Sequence, residues 1–185
     1  LTYSRTAALT KELAAYLQSL GLKPGDRVAI MMPNLLQYVI AMYACLRAGY
    51  IVVNINPLYT SREVNGTLRD SEAKAIIIIE NFAKTLQNAL PGTKCEHIIT
   101  TAVGDLFPFF KRTLVNFVVR KVKKMVPEYS LPNAVGFNEA LEIGRRHGFT
   151  AHEIHNTDIA FLQYTGGTTG VAKGAILTHR NLLAN

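Results

Sequence analysis

The sequence predicts an α/β protein, a largely parallel sheet with helices on its faces. Three observations carry that expectation. Stretches with apolar residues at helical spacing alternate with short strand-like stretches four times between Ser4 and Thr101. The run Ala75-Ile76-Ile77-Ile78-Ile79 has no polar residue, which suits a strand buried on both faces. Glycine, proline and asparagine punctuate the alternation where helices must stop and turns must form.

The first helix is expected over Ser4 to Leu20, where Leu9, Leu13, Leu17 and Leu20 recur on one face. Gly21 stops it, and Leu22 to Asp26 is a turn. A strand follows over Arg27 to Met32. Pro33-Asn34 opens a second helix, Leu35 to Ala48, ended by Gly49. Ala29 to Leu46 carries no charge, but Pro33, Asn34 and Gln37 interrupt it, so it divides into strand and helix. It is no membrane span, which needs about 20 mostly apolar residues. Ile51 to Val53 is a short strand. Thr60-Ser61-Arg62-Glu63 has the capping-box spacing, in which hydroxyl and carboxylate each satisfy a free amide. That box opens a helix to about Asp70. After the isoleucine strand, Asn81 is expected to cap a helix to Leu90, broken by Pro91-Gly92, and His97 to Thr101 is another strand.

The composition then changes. Leu106 to Val126 holds no acid but carries Lys111, Arg112, Arg120, Lys121, Lys123 and Lys124. Removing those six charges would leave +1 of the net +7, so the basic balance is local. On a regular helix Leu114, Phe117, Val118, Val122 and Met125 share one face. Such a segment fits an ordinary surface helix with a solvated basic face, or an anionic membrane surface. The interleaved Phe and Val favour lipid over nucleic acid, and no nucleic-acid partner is expected. Glu128 to Leu131 reads as linker. Asn138 is expected to cap a helix over Glu139 to Arg146, stopped by Gly148.

The chemistry concentrates in Tyr164, Thr165, Gly166, Gly167, Thr168, Thr169, Gly170, Val171, Ala172, Lys173, Gly174 and Ala175. Four glycines, three threonines and one lysine stand in these twelve residues. Glycines bring backbone N–H groups close to a ligand. Hydroxyls and an ammonium add donors and charge. The combination suits a polyphosphate. It is not a Walker loop, because Val171 and Ala172 separate Gly170 from Lys173, and it lacks G-x-G-x-x-G spacing. Ile159 to Gln163 and Ala175 to Leu177 read as strands, so the loop is expected to join two strands. Thr178 to Leu183 then begins a helix.

The run Tyr164 to Ala175 resembles the phosphate-binding signature of the adenylate-forming superfamily: acyl-CoA synthetases, peptide-synthetase adenylation domains and firefly-type luciferases. Leu22 to Ala29 with Pro33-Asn34 resembles the opening of the acyl-CoA synthetase large domain, and Asn56 to Thr60 its next turn. Val115 to Val119 and Lys123 to Pro127 are similar to bacterial long-chain fatty acid–CoA ligases in particular. The resemblance implies part of an N-terminal AMP-binding domain spanning 1–185. It implies a two-step ligase with ATP and Mg²⁺ as cofactors and a fatty acid and coenzyme A as co-substrates. Thr169 and Lys173 would be the catalytic pair, with Thr165 contacting Mg²⁺. The acidic metal ligand, the ribose-binding aspartate and the C-terminal catalytic lysine of that family would lie beyond Asn185.

The chain begins at Leu1 and ends in an apparent helix start, so it is expected to be a piece of a larger protein and inactive alone. A content of 49% hydrophobic and 18% charged residues suits a packed core. Cys45 and Cys95 have no metal spacing, which fits a reducing cytosol. A cytoplasmic location is expected, peripheral at the inner membrane face, and a homodimer for the full-length protein. Two other classes stay open: another adenylating enzyme, and a non-catalytic basic membrane-surface module.

Overall fold

A computed structural model describes residues 1–165 and 173–184, the side chains of Thr165 and Lys173 excepted. In chain order the elements are α1 (Tyr3–Ser19), β1 (Arg27–Met31), α2 (Leu36–Arg47), β2 (Ile51–Asn54), α3 (Ser61–Ser71) and β3 (Ala75–Ile79). A 3₁₀ turn, Glu80–Phe82, leads into α4 (Ala83–Ala89), followed by β4 (His97–Thr101) and α5 (Phe109–Phe117). A π turn over Val118–Val122 extends α5, and β5 (Ala134–Gly136), α6 (Phe137–His147), β6 (Ile159–Thr165), β7 (Lys173–Thr178) and α7 (His179–Leu183) complete the set.

Among the described residues the strands form one sheet of seven, in the order β5-β4-β3-β1-β2-β6-β7. All neighbours are parallel except β6 and β7. The architecture is therefore the expected α/β sandwich, and its physical cause is visible in the residue pattern. Central strands with apolar residues on both sides need cover on both faces. Val28, Ile30, Val52, Ile77 and Ile99 point to a core shared with Leu13 of α1, Ile40 of α2 and Phe137 of α6. The alternate residues Ala29, Met31, Val53, Ile76 and Ile78 point the other way, onto Val64 and Leu68 of α3 and Leu86 of α4. Cys45 is fully buried in the first of these cores.

The punctuation works as the sequence implies. Gly21, Gly49 and Gly148 take positive φ at helix ends. Thr60 and Glu63 form both bonds of the capping box on α3. Other expectations need correction. Asn81 does not cap a helix: it lies inside the 3₁₀ turn, and its Nδ2 donates to the Met125 carbonyl at 3.1 Å. Asn138 lies inside α6, whose N-cap is Gly136, and its Nδ2 donates to the Asp105 carbonyl at 3.0 Å. In both cases a tertiary carbonyl outcompeted the local amide. The basic segment is not one regular helix. Lys123 N–H donates to the Val118 carbonyl at 2.8 Å, the wider π spacing, and Lys124 ends the run at φ 48°. Val118 is half-buried and Val122 is exposed, so the apolar residues of the segment are not equally presented to solvent.

Candidate phosphate-binding hairpin

β6 enters the sheet beside β2, in parallel register with Val52 opposite Phe161 and Asn54 opposite Gln163. It therefore ends on the same edge as the C-terminal ends of β1 to β4. In open α/β sheets that edge is where ligands bind. β7 returns antiparallel, with Gln163 opposite Ala175, Tyr164 opposite Gly174 and Thr165 opposite Lys173. The expectation of a loop joining two strands holds, and β7 begins two residues earlier than the apolar run alone suggests. The hairpin's last described pair, Thr165 and Lys173, brackets Gly166, Gly167, Thr168, Thr169, Gly170, Val171 and Ala172. Those seven residues, including the predicted catalytic Thr169, lie outside the described residues, as do the Thr165 and Lys173 side chains.

What is described is how the root of the hairpin is held. Tyr164 is buried, with 6% of its surface exposed, among the residues that α3 covers. Its hydroxyl donates to Asp70 Oδ2, on the last turn of α3, at 2.5 Å. Burial pushes the phenol's pKa well above its ordinary value, and the neighbouring Asp70 carboxylate adds to this, so the hydroxyl stays a donor. Gly174, directly across the ladder, explains itself by proximity. A Cβ there would stand 3.1 Å from Cζ of the Tyr164 ring. With no side chain at that point the strand passes over the ring without crowding it.

A second polar link lies on the opposite face of the sheet. Asn54 Nδ2 donates to Gln163 Oε1 at 2.9 Å, and Tyr38 Oη of α2 donates to Asn54 Oδ1 at 3.1 Å. Beyond β7, Thr178 and Asn181 form a capping box that starts α7. The His179 and Arg180 N–H groups donate to the carbonyls of Asp158 and Asn156. His179 and Asn181 are thus structural. Asp70, Asn54 and Tyr38 gave no local sign of their part. Gln163, a polar residue within an apolar strand, was the one visible hint.

The basic segment presents a different surface. Phe109, Phe110, Leu114, Phe117, Val122 and Met125 are all exposed. Lys121, Lys123 and Lys124 are exposed beside them. Arg120, expected within the same cationic array, is instead committed inward. Its Nε lies 2.9 Å from both carboxylate oxygens of buried Glu80, and its Nη2 lies 2.6 Å from Oε2. Asn116 ties the same segment to the body, accepting from the Gly104 N–H at 2.8 Å and donating to Asp105 Oδ1 at 3.1 Å. Among the described residues no helix is long and apolar enough to cross a membrane.

Comparison with known proteins agrees with this geometry. The chain is 55% identical over its whole length to a long-chain-fatty-acid–CoA ligase of Salmonella typhimurium, and 39% identical to one of Bacillus subtilis. It spans 33% of each of those relatives. Among solved structures, a long-chain-fatty-acid–CoA ligase of Archaeoglobus fulgidus superposes with a TM-score of 0.75 at 28% identity, covering all of this chain and 31% of that one. A benzoate CoA ligase of Burkholderia xenovorans shares the fold, with a TM-score of 0.73 at 23% identity. The AMP-binding enzyme family matches residues 1–185, the entire sequence, and the chain belongs to that family.

Proposed function

We propose that the chain forms the ATP-gripping part of a long-chain fatty acid–CoA ligase. A carboxylate oxygen of the fatty acid attacks the α-phosphorus of ATP, and the bond from that phosphorus to pyrophosphate breaks. The thiolate of coenzyme A then attacks the acyl carbonyl carbon, and AMP leaves with the electrons of the acyl–oxygen bond. The observation that carries this reading is the 55% identity over the whole chain to relatives bearing that name. The position of the hairpin at the C-terminal edge of the sheet supports it.

In this reading the amides of Gly166, Gly167 and Gly170 and the hydroxyls of Thr168 and Thr169 meet the β- and γ-phosphates, and Lys173 adds charge. Pyrophosphate gathers negative charge as it leaves, so donors fixed in advance lower that barrier. Mg²⁺ would accompany the nucleotide, with Thr165 as its contact. Among the described residues there is no cluster of three His, Cys, Asp or Glu side chains that could hold a metal ion.

The test uses a ligase of the relatives' full length carrying this chain as its corresponding third. Thr169→Ala and Lys173→Ala are each expected to slow palmitate-dependent ATP–pyrophosphate exchange by roughly 100-fold, the usual effect of losing one such donor. Unchanged exchange would overturn the assignment. Amino acids supporting exchange where palmitate and oleate do not would move the chain to another adenylating class. Homodimerisation of such a ligase belongs to the same proposal, and sedimentation reads it.

The exposed apolar stripe beside Lys111, Lys121, Lys123 and Lys124 supports a second, compatible reading: peripheral contact with an anionic membrane on the cytoplasmic side. Vesicles of phosphatidylglycerol are expected to retain the protein at low salt and release it at high salt. Replacing Lys121, Lys123 and Lys124 together by Gln should weaken retention roughly 100-fold, at about 1 kcal/mol for each lysine. Equal partition onto neutral phosphatidylcholine would refute an electrostatic contact.

A further inference from the structure

We propose that Asp70 is a positioning residue for the phosphate-binding loop, acting through Tyr164. The inference rests on the ligase reading above and adds a residue from outside the loop to it. Tyr164 stands one position before the end of β6, so its ring is the last described side chain before the loop. The ring belongs to the buried cluster beneath the hairpin that also holds Val53 of β2 and Val64 of α3. Packing alone would be met by phenylalanine. The hydroxyl is what reaches α3, and it meets a carboxylate at 2.5 Å. A buried phenol needs a partner, and an ionised acceptor makes the strongest one.

Asp70 has no other visible task. It is exposed, and among the described residues its carboxylate makes no ion pair and no other hydrogen bond. It also sits in the last turn of α3, where the helix dipole disfavours negative charge. An acid held there against the dipole is best explained by what it accepts.

The mechanical need is equally local. Among the described residues β7 pairs only with β6, at the sheet's edge, so a single ladder holds it to the sheet. The Tyr164 hydroxyl pins the hairpin to α3, a helix packed on the body of the sheet. Gly174 of the paired strand lies close to the ring, an ideal Cβ there standing 3.1 Å from Cζ. The ring is thus held at its tip by Asp70 and lies close against the neighbouring strand. A loop whose donors must meet phosphate oxygens within a fraction of an ångström depends on such a root.

The test is steady-state ATP–pyrophosphate exchange in the same full-length ligase. Tyr164→Phe and Asp70→Ala are each expected to raise KM for ATP about tenfold, the scale of one charge-assisted hydrogen bond. KM for palmitate should stay within twofold. The double variant should be no worse than the worse single one, because both remove the same bond. Asp70→Asn, which keeps an acceptor oxygen, should recover most of the loss. A merely structural role would lower the active fraction, and so kcat, without moving KM for ATP. If Asp70→Ala fails to fold, Tyr164→Phe carries the test, since it removes a single oxygen. Unchanged KM for ATP in Tyr164→Phe, with Thr169→Ala and Lys173→Ala still damaging, overturns this proposal alone. Additive losses in the double variant also overturn it. If Thr169→Ala and Lys173→Ala leave exchange intact as well, the ligase reading falls and takes this inference with it.

Discussion

Gly144→Ala is expected to lower the stability of the fold by about 3 kcal/mol or more, from overpacking a contact that cannot relax. Gly144 lies in α6 where that helix crosses α1. A Cβ built there would stand 1.8 Å from the Glu12 carbonyl oxygen and 2.8 Å from the Tyr16 amide nitrogen. Both are backbone atoms of one helical turn, so no rotamer change relieves the clash. The helices would have to part, and the surrounding contacts resist that. Leu13 and Leu17 of α1 and Phe137 and Leu141 of α6 are buried in one core. Arg145 clamps the same crossing, with its Nε 2.9 Å and its Nη2 3.2 Å from the two Glu12 carboxylate oxygens. Thermal melting followed by circular dichroism should show a fall in Tm of roughly 10 °C for a chain of this size. A variant that melts with the parent would mean that α1 and α6 do not pack at this distance.

Arg120→Ala has the next largest expected effect, about 2 kcal/mol, and its cause is electrostatic. Glu80 follows directly on β3, and its side chain is 4% exposed. The Arg120 guanidinium answers it with a forked contact. Removing the cation leaves a buried carboxylate without a countercharge, the costly way to break such a pair. The effect is smaller than for a fully buried pair, because Arg120 itself is 50% exposed and water can enter. Glu80→Gln added to Arg120→Ala should recover most of the loss, since an amide carries no charge to strand. Urea unfolding of the two variants reads both values. Amide exchange should also quicken over residues 118–125, where Arg120 and the Asn81–Met125 bond tie the segment down. If the single and double variants unfold alike, the Glu80 charge was not being compensated by Arg120.

Much of this architecture was legible because it is local. The isoleucine strand came out residue for residue, since an unbroken apolar run between turn residues has few other uses, and His97 to Thr101 matched as well. The Thr60–Glu63 box declared itself by spacing. What could not be read was set by distant partners. β5 has three residues, too few for any period, and exists because Ile98 to Thr100 of β4 offer it an edge. Asn81 and Asn138 look like caps, but carbonyls far along the chain claim their side chains. At the site, the glycine–threonine run is conspicuous in itself. Asp70 is not, because 94 residues separate it from the tyrosine it serves.

The pairing of β6 with β2 has a consequence for how the chain assembles. More than a hundred residues intervene between those strands, while β1, β2, β3 and β4 are close neighbours in sequence. Closing so long an excursion is slow, so the short-range strands come together first during synthesis. Until Ile159 to Gln163 emerge, the flank of β2 at Val52 and Val53 stands open, a ready template for strands of other molecules. Nascent polypeptides paused before that point would aggregate through it. The strand that carries the glycine–threonine run is also the one that covers the open flank of β2.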